Sequence, residues 1–485
     1  MTKDVALFHF SPMPPSRNGI ADYAYQVIDQ LSGRYPSRVF SSDPFAIVPN
    51  GTTSADPLQA FRFVGENSCC IHQIGNNPDH AFAIRSAKDF PGIVVLHDLK
   101  LLYLHEFLEI SETETFHLLG RSNPSLARTQ AARIAFQGRK TRVDYLLFDM
   151  LADVIDVAKC IVVHSRFAKA ILARHYGDDA SRKVRVIPHF AFQATGEPRD
   201  VARLRLSLEP DWFVVVTLGF ATKAKRYDWL VEALDRIVAA RPNVVWVQAG
   251  PVRPDDYDLP ALLDRYPRVR AIARMAGFVS SEDLDAYVAA ADVVVNLRFP
   301  SVGESSGILA RAMSAGACCI VTDTAGYSEY PDDVAIRLSP FSGHETLYAT
   351  LTHLMDAPEV IRAFAHNARR YAATELSIAT YTASLEAAIH EVVQGGGAPL
   401  QREMPHLKAR RHIEYQEASR RSAPGAPVRF SLAQIEPVLE GFNNLKALAP
   451  EALRIEKAEF VPRNDGEASD DHGNIYLELT GQRLG

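Results

Sequence analysis

The sequence predicts two doubly wound α/β units, each a parallel sheet covered by helices, followed by a smaller C-terminal extension. Three observations carry that prediction. Short β-branched runs, apolar on both faces, recur along the chain, as strands buried between two helix layers require. Segments of helical period, such as YAYQVIDQLSGRY, YDWLVEALDRIVAA and SEDLDAYVAAA, lie between them. At about 150 residues per domain, 485 residues leave room for roughly two to four domains.

The strands come in order. DVALFHF, GIVVLHD, KCIVVHS and VRVIPHF belong to the first unit; WFVVVTLGF, VVWVQAG, DVVVNLRF and CCIVTDT belong to the second. Between the units, AFQATGEPRDVARLRLSLEP has no strong apolar pattern and reads as an interdomain linker. The first domain is placed at 1–195 and the second at 210–375. Regular alternation stops near Gln394, at the glycines Gly395 to Gly397. The extension, 398–485, opens with a basic, mostly polar run from Arg402 to Arg421 and ends acidic and glycine-bearing.

Composition excludes several classes. A net charge of −6 with 47% apolar residues gives no global basic signature, so no nucleic-acid partner is expected. Cys69, Cys70, Cys160, Cys318 and Cys319 are odd in number and lack metal-ligand spacing, which suits buried thiols in a reducing cytoplasm. The N-terminal MTKDVALFHFSPMPPSRNG is broken by proline too soon for a signal peptide, and no run of about 18 apolar residues occurs.

Loops at strand ends hold the chemistry. SPMPPSRNG leads into a helix near Ala21, and Gly19 leaves backbone amides open to a phosphate; an ordinary βα turn reads the same way. His97 and Asp98 follow GIVVL, where a histidine can meet a sugar hydroxyl and Asp98 can orient it; a pair that only pins the loop is the alternative. Asn76 and Asn77, after Gly75, are further candidates for hydroxyl binding, whereas His72 and His105 read as structural. Lys225 and Arg226 begin a helix, an unfavourable place for cations unless they meet an anion; in isolation a solvated pair on a helix edge is the default reading. In GESSG, Ser305, Ser306 and Gly307 offer amides and hydroxyls at a helix N-terminus, and Glu304 adds an acceptor; a plain serine cap is the bland alternative.

Taken together, NGIADY, HQIGNNPDHAF, VVLHD, VVHSRFA, VRVIPHF, GFATKAKR, AGFVSSEDLDAYVAAADVVV and PSVGESSGILARAMSAG resemble the family 4 glycosyltransferases over residues 1–394. That resemblance implies the GT-B fold, two Rossmann-like domains facing across a cleft, with YAATELSIATYTASLEAAI as a terminal helix (376–394) crossing back to the first domain. It implies a retaining, hexosyltransferase-type enzyme that uses a nucleotide-sugar donor, no cofactor and no bound metal, and a glycan or lipid-linked acceptor. Lys225 matches the diphosphate-binding lysine, with Arg226 as helper, and Gly19 matches the glycine loop near the diphosphate. His97 matches the histidine that contacts the transferred sugar, and Gly277, Phe278 and Val279 match the segment that meets the base.

Two departures stand out. Many members carry arginine shortly before the lysine, where Phe220 follows Gly219 here. Of the two glutamates many members carry, the second falls on Arg311, and the first aligns with Gly303 unless Glu304 replaces it by a one-residue shift. An epimerase or phosphorylase on the same fold, and a non-catalytic sugar-nucleotide-binding scaffold, are the competing readings. Finally, Arg121, Arg128, Arg133, Arg139, Lys140 and Arg142 lie among apolar residues in the acceptor-side domain; a solvated helix face paired with local carboxylates is the ordinary reading, and peripheral contact with an anionic membrane at the inner face is the functional one.

Overall fold

A computed structural model describes residues 5–395, apart from 17, 66, 109 and 123–126, together with residues 428–431, 453–462 and 475–483. The first domain holds seven parallel strands: β1 (Ala6–Phe10), β2 (Ser37–Phe40), β3 (Thr53–Ala55), β4 (Ser68–Ile74), β5 (Ile93–Leu96), β6 (Cys160–Val163) and β7 (Val184–Val186). Their order is β3-β2-β1-β4-β5-β6-β7. The second holds six: β8 (Phe213–Leu218), β9 (Val244–Ala249), β10 (Ala273–Gly277), β11 (Val293–Asn296), β12 (Cys318–Thr322) and β13 (Ile336–Leu338), in the order β10-β9-β8-β11-β12-β13. These are the two doubly wound α/β domains of a GT-B fold, facing across a cleft.

Every residue of β5 and β6 is buried, as expected for strands covered on both faces. Of the strands that escaped the apolar pattern, β3, β10 and β13 lie at sheet edges and are partly open to solvent, while β2, inside the sheet, is four residues long and half polar. In each sheet the winding reverses beside the first strand: β1 sits between β2 and β4, and β8 between β9 and β11. Loops leaving the carboxyl ends of strands at such a reversal splay apart and open a crevice. The two crevices face each other.

The helix Ile378–Val393 buries Tyr381, Leu385 and Ile389 among Leu7, Tyr23 and Ile71 of the first domain. Arg34 fastens it to Glu386 at 2.7 Å. Strands β14 (Val428–Ser431), β15 (Leu453–Pro462) and β16 (Ile475–Arg483) form an antiparallel sheet with β16 in the middle. The basic run Arg402 to Arg421 lies outside the described residues.

The stretch read as a linker holds a helix, Arg199–Arg205, that belongs to the core of the second domain. Its anchor is polar, which is why an apolar pattern did not reveal it. Arg203 is 4% exposed and donates to Asp292 Oδ2 at 2.7 Å and to the carbonyls of Pro210 (2.7 Å), Trp212 (3.0 Å) and Ala290 (3.1 Å). Asp292 also accepts from the amide of Val214, the second residue of β8, at 2.7 Å. Removing one partner of a buried pair leaves the other charge uncompensated, at a cost of about 3–5 kcal/mol. Arg203→Ala should therefore lower the unfolding free energy by about 3 kcal/mol. Urea denaturation of both proteins measures this, and a loss below about 1 kcal/mol would show that Arg199, which also pairs with Asp292, suffices.

Candidate active site

The two crevices enclose a cavity of about 480 Å³, within the usual range of small-molecule sites. On the first-domain side, Gly19 opens the helix Gly19–Ser32, capped by Asn18, whose Oδ1 accepts from Ile20 N at 3.0 Å. The Asn18 amide also lies 3.1 Å from Nε2 of the buried His80, and His80 Nδ1 lies 2.8 Å from the carbonyl of Gln73. A carbonyl can only accept, so His80 carries its proton on Nδ1 and receives the Asn18 amide at Nε2. The glycine loop is thus fixed from beneath by the end of β4.

His97 lines the cavity just past β5. Its Nε2 donates to Gln73 Oε1 at 2.8 Å, and its Nδ1 lies 3.2 Å from Nε2 of His164. His164 in turn donates from Nδ1 to the Ile187 carbonyl at 2.9 Å. Burial holds both rings neutral, His164 at about 4 and His97 well below the ordinary value, the latter helped by repulsion from His164 and His189. The proton of His97 is therefore committed at Nε2, and its Nδ1 faces His164 as a lone pair. Asp98 does not orient His97, as the sequence suggested. Its Oδ2 accepts instead from Asn76 N at 2.8 Å, because the backbone turns after His97 and carries the carboxylate toward the β4 loop. Asn76 Oδ1 accepts from Leu104 N at 3.0 Å, and Asn77 caps the next turn through Asp79 N at 2.9 Å. The two asparagines hold loops together and do not line the cavity.

The second domain supplies the positive charge. Lys225 ends a short turn, Lys223–Lys225, and its ammonium donates to the carbonyl of Leu218 at the end of β8. Among the described residues no carboxylate lies within ion-pair distance of it. Gly219, at φ +75°, separates it from the cavity: a Cβ there would stand 3.3 Å from Nζ and 2.8 Å from Ile308. Burial, then repulsion from Arg298, pushes the Lys225 pKa well below its ordinary value. Arg226 turns the other way, donating to Asp228 at 2.8 Å and lying 4.1 Å over the Trp229 ring, and is absent from the cavity wall.

Sequence reasoning missed Arg298, which follows β11 inside a run that reads simply as strand. Its Nε lies 3.4 Å from Glu304 Oε1. Burial opposes its charge, yet Tyr327 and Glu304 hold its pKa above the ordinary arginine value. Glu304 is mainly engaged at home, its Oε2 accepting from Ser301 Oγ at 3.0 Å and Val302 N at 2.9 Å. Ser306 caps the helix Gly307–Ala315 through Leu309 N at 3.2 Å, so the bland reading holds for that serine, while Ser305 and Gly307 line the cavity. Arg311 also lines it, but is tied to Asp285 and to the Ser281 carbonyl at 2.9 Å. Gly277 ends β10 with φ +69°, and Phe278 (62% exposed) and Val279 reach the cavity from there. Gln73, His164 and His189 were quoted in motifs but not singled out; only their meeting in space marks them.

The family described as "Glycosyl transferases group 1" matches residues 213–356, the greater part of the second domain. No curated protein gives a significant match. Among solved structures, sucrose-phosphate synthase from Thermosynechococcus elongatus is 15% identical with a TM-score of 0.58, covering 81% of this chain and 100% of that one. HepE from Anabaena, in complex with UDP and glucose, is 14% identical with a TM-score of 0.57, covering 80% and 99%. WaaG, a glycosyltransferase involved in lipopolysaccharide biosynthesis, is 17% identical with a TM-score of 0.54, covering 81% and 100%. These likenesses establish the shared two-domain fold.

Asp98 gives the site a measurable signature. Burial, despite the Asn76 amide, pushes its pKa from 3.8 up to about 6. A raised carboxyl pKa means that the folded state holds the proton more tightly than the unfolded one. Stability is then greatest below the unfolded value and falls as pH rises from about 4 to 6, by roughly 3 kcal/mol. Asp98→Asn keeps an oxygen for the Asn76 amide and removes the titration. It should melt higher than wild type at pH 8, and the two should converge at pH 3.5–4, as thermal unfolding across pH will show. A parallel offset at all pH values would refute the assignment.

Proposed function

We propose that the protein is a retaining glycosyltransferase moving a sugar from a nucleotide-sugar donor to a hydroxyl of a glycan or glycolipid. One observation carries this reading: an interdomain cavity is lined by Gly219, with a lysine that has no carboxylate partner among the described residues directly behind it, and by Ser305, Gly307 and Ile308 at the N-terminus of the helix Gly307–Ala315. Both favour a polyanion, and the amide ends of a helix are suited to phosphate. The family match over residues 213–356 and the UDP and glucose held by HepE support the same ligand class.

In this reading the nucleotide base lies toward Phe278 and Val279, and the diphosphate lies over Gly219 and Gly307. The acceptor oxygen bonds to the anomeric carbon as the bond from that carbon to the diphosphate oxygen breaks. The acceptor proton passes to the departing phosphate on the same face. Charge grows on the diphosphate in this step, and in this reading Lys225 behind Gly219, Arg298 beyond it and the helix amides stabilise that charge without a resident metal. Arg298 compensates for the arginine that Phe220 replaces. His97, neutral and with its proton held by Gln73, forms the wall beside the transferred sugar rather than acting as a base. Glu304, held by Ser301 and Arg298, keeps Arg298 in place and presents an acceptor at the sugar end of the site. The protein is expected to work in the cytoplasm.

Lys225→Ala should lower turnover by about a hundredfold or more while weakening donor binding less, since its contact strengthens as the leaving group gains charge. Transfer assays with a panel of nucleotide sugars, read by release of nucleoside diphosphate, test this. Interconversion of the donor without acceptor would favour an epimerase, and binding without turnover would favour a scaffold.

Membrane contact rests on a different surface from the basic stretch. Arg121 is paired with Asp153 and Asp156, and Lys140 with Glu106 at 2.7 Å; the side chain of Arg128 lies outside the described residues. Phe45, in the loop after β2, and Leu58 and Phe61, on the short 3-10 helix Pro57–Arg62 after β3, are by contrast 80%, 83% and 68% exposed. Among the described residues no helix is long and apolar enough to cross a membrane. We propose that these side chains dip into the lipid interface where a glycolipid acceptor resides. Co-sedimentation with anionic vesicles should persist at moderate salt and be lost in a Phe45→Ser, Phe61→Ser double variant. Unchanged binding of that variant would exclude this surface.

A further inference from the structure

His189 stands in the hinge after β7, in the VRVIPHF segment, and its ring packs on the first residue of a helix in the other domain. A Cβ on Gly307 would come within 2.9 Å of its Cε1 and 3.0 Å of its Nε2. Its Nδ1 lies 2.7 Å from the carbonyl of Phe190. That carbonyl can only accept, so the Nδ1 proton is committed and the neutral ring turns a lone pair, at Nε2, toward the second domain. Nε2 has no hydrogen-bond partner among the described residues. In the free protein this is a favourable arrangement, because the lone pair faces the positive end of the helix Gly307–Ala315.

An anion at that helix end reverses the electrostatics: phosphate oxygens would meet a lone pair. We infer that His189 takes up a proton at Nε2 when a nucleoside diphosphate binds, turning from a lone-pair acceptor into a charged donor to the phosphate. The inference rests on the donor-site reading above and adds a phosphate-contacting residue to it. The proton comes from solvent, and no covalent bond changes.

The surroundings permit this switch. Around the ring stand His97 and His164 at the ends of β5 and β6, and Tyr23 of the first helix, with ring centroids 6.4, 5.4 and 4.7 Å away. From the second domain, Glu304 and Glu329 line the same crevice. Without ligand, burial and then His164 hold the His189 pKa down at about 3. A bound dianion raises it. A group whose pKa rises on binding adds affinity below its bound-state pKa, and the gain fades as pH climbs through that value.

The test uses the full-length protein and UDP, GDP and ADP as probes. Isothermal titration in buffers of different ionisation enthalpy gives protons taken up per diphosphate bound. Between the free and bound pKa values, wild type should take up as much as about one proton more than His189→Gln, and its Kd should rise up to tenfold more steeply per pH unit. Comparing the two proteins cancels the titration of the phosphate itself. Should the variant fail to fold, the Cε1–H resonance of His189 in wild type gives the answer: it should move toward the imidazolium position on adding diphosphate at pH 6. Equal uptake in both proteins, or an unmoved resonance with diphosphate bound, overturns the inference and leaves the donor-site reading standing. If wild type binds none of the three diphosphates, the donor-site reading falls and this inference with it.

Discussion

Lys225 is held behind Gly219 with its ammonium against a backbone carbonyl rather than a carboxylate, and the geometry around it follows from that constraint. A partly buried cation without a counter-ion raises the energy of the free protein, and any bound anion relieves it. The ammonium needs a gap to act through, which Gly219 provides with a left-handed backbone and no side chain. Gly250 must also lack a Cβ, since one would run into the Gly219 backbone. Two strand ends, β8 and β9, are thus brought close enough to expose amides where side chains would otherwise fill the cavity. Arg298 adds a second cation behind the first, held in place by Glu304. A carboxylate is spent on Arg298, leaving Lys225 free for the ligand.

Much of this was legible in the sequence, and the boundary falls in a physically sensible place. Strands such as GIVVL announce themselves because burial on both faces demands unbroken apolar residues, and glycine loops announce the backbone they leave bare. Lys225, Gly19 and Gly307 stand out as candidates from local chemistry at a strand end or helix start. What sequence spacing does not carry is partnership. Arg298 reads as a charge at the end of a strand until Glu304 and Tyr327 are seen around it. Asp98 sits next to His97 in the chain, yet bonds to Asn76 from another strand. Arg203 looked like a linker residue because a buried guanidinium saturated with carbonyls leaves no apolar trace. The basic stretch around Arg121 suggested a charged surface, and its carboxylate partners lie about 30 residues further on, at Asp153 and Asp156.

The same logic of unpaired ends governs how the domains meet. The helix Arg166–Arg182 begins in the first domain, and two of its free amides, those of Arg166 and Phe167, are bound at 3.0 and 2.7 Å by Glu329 of the second. Close by, Gly303 takes φ +98° and lies against Leu99 and Phe167 of the first domain, so the loop ahead of GESSG closes on its neighbour without a side chain between. On the hinge side, the amide of Ala191 donates to the carbonyl of Leu376 at 2.7 Å. His189 stands between these two sets of contacts, pressed on Gly307. The contacts of Glu329 and of Ala191 each pair a group that its own domain leaves unsatisfied with one that the other domain supplies. Polar contacts of this kind can be exchanged for those of a ligand at little net cost. A site that must admit a charged donor and release a charged product is well served by such an interface.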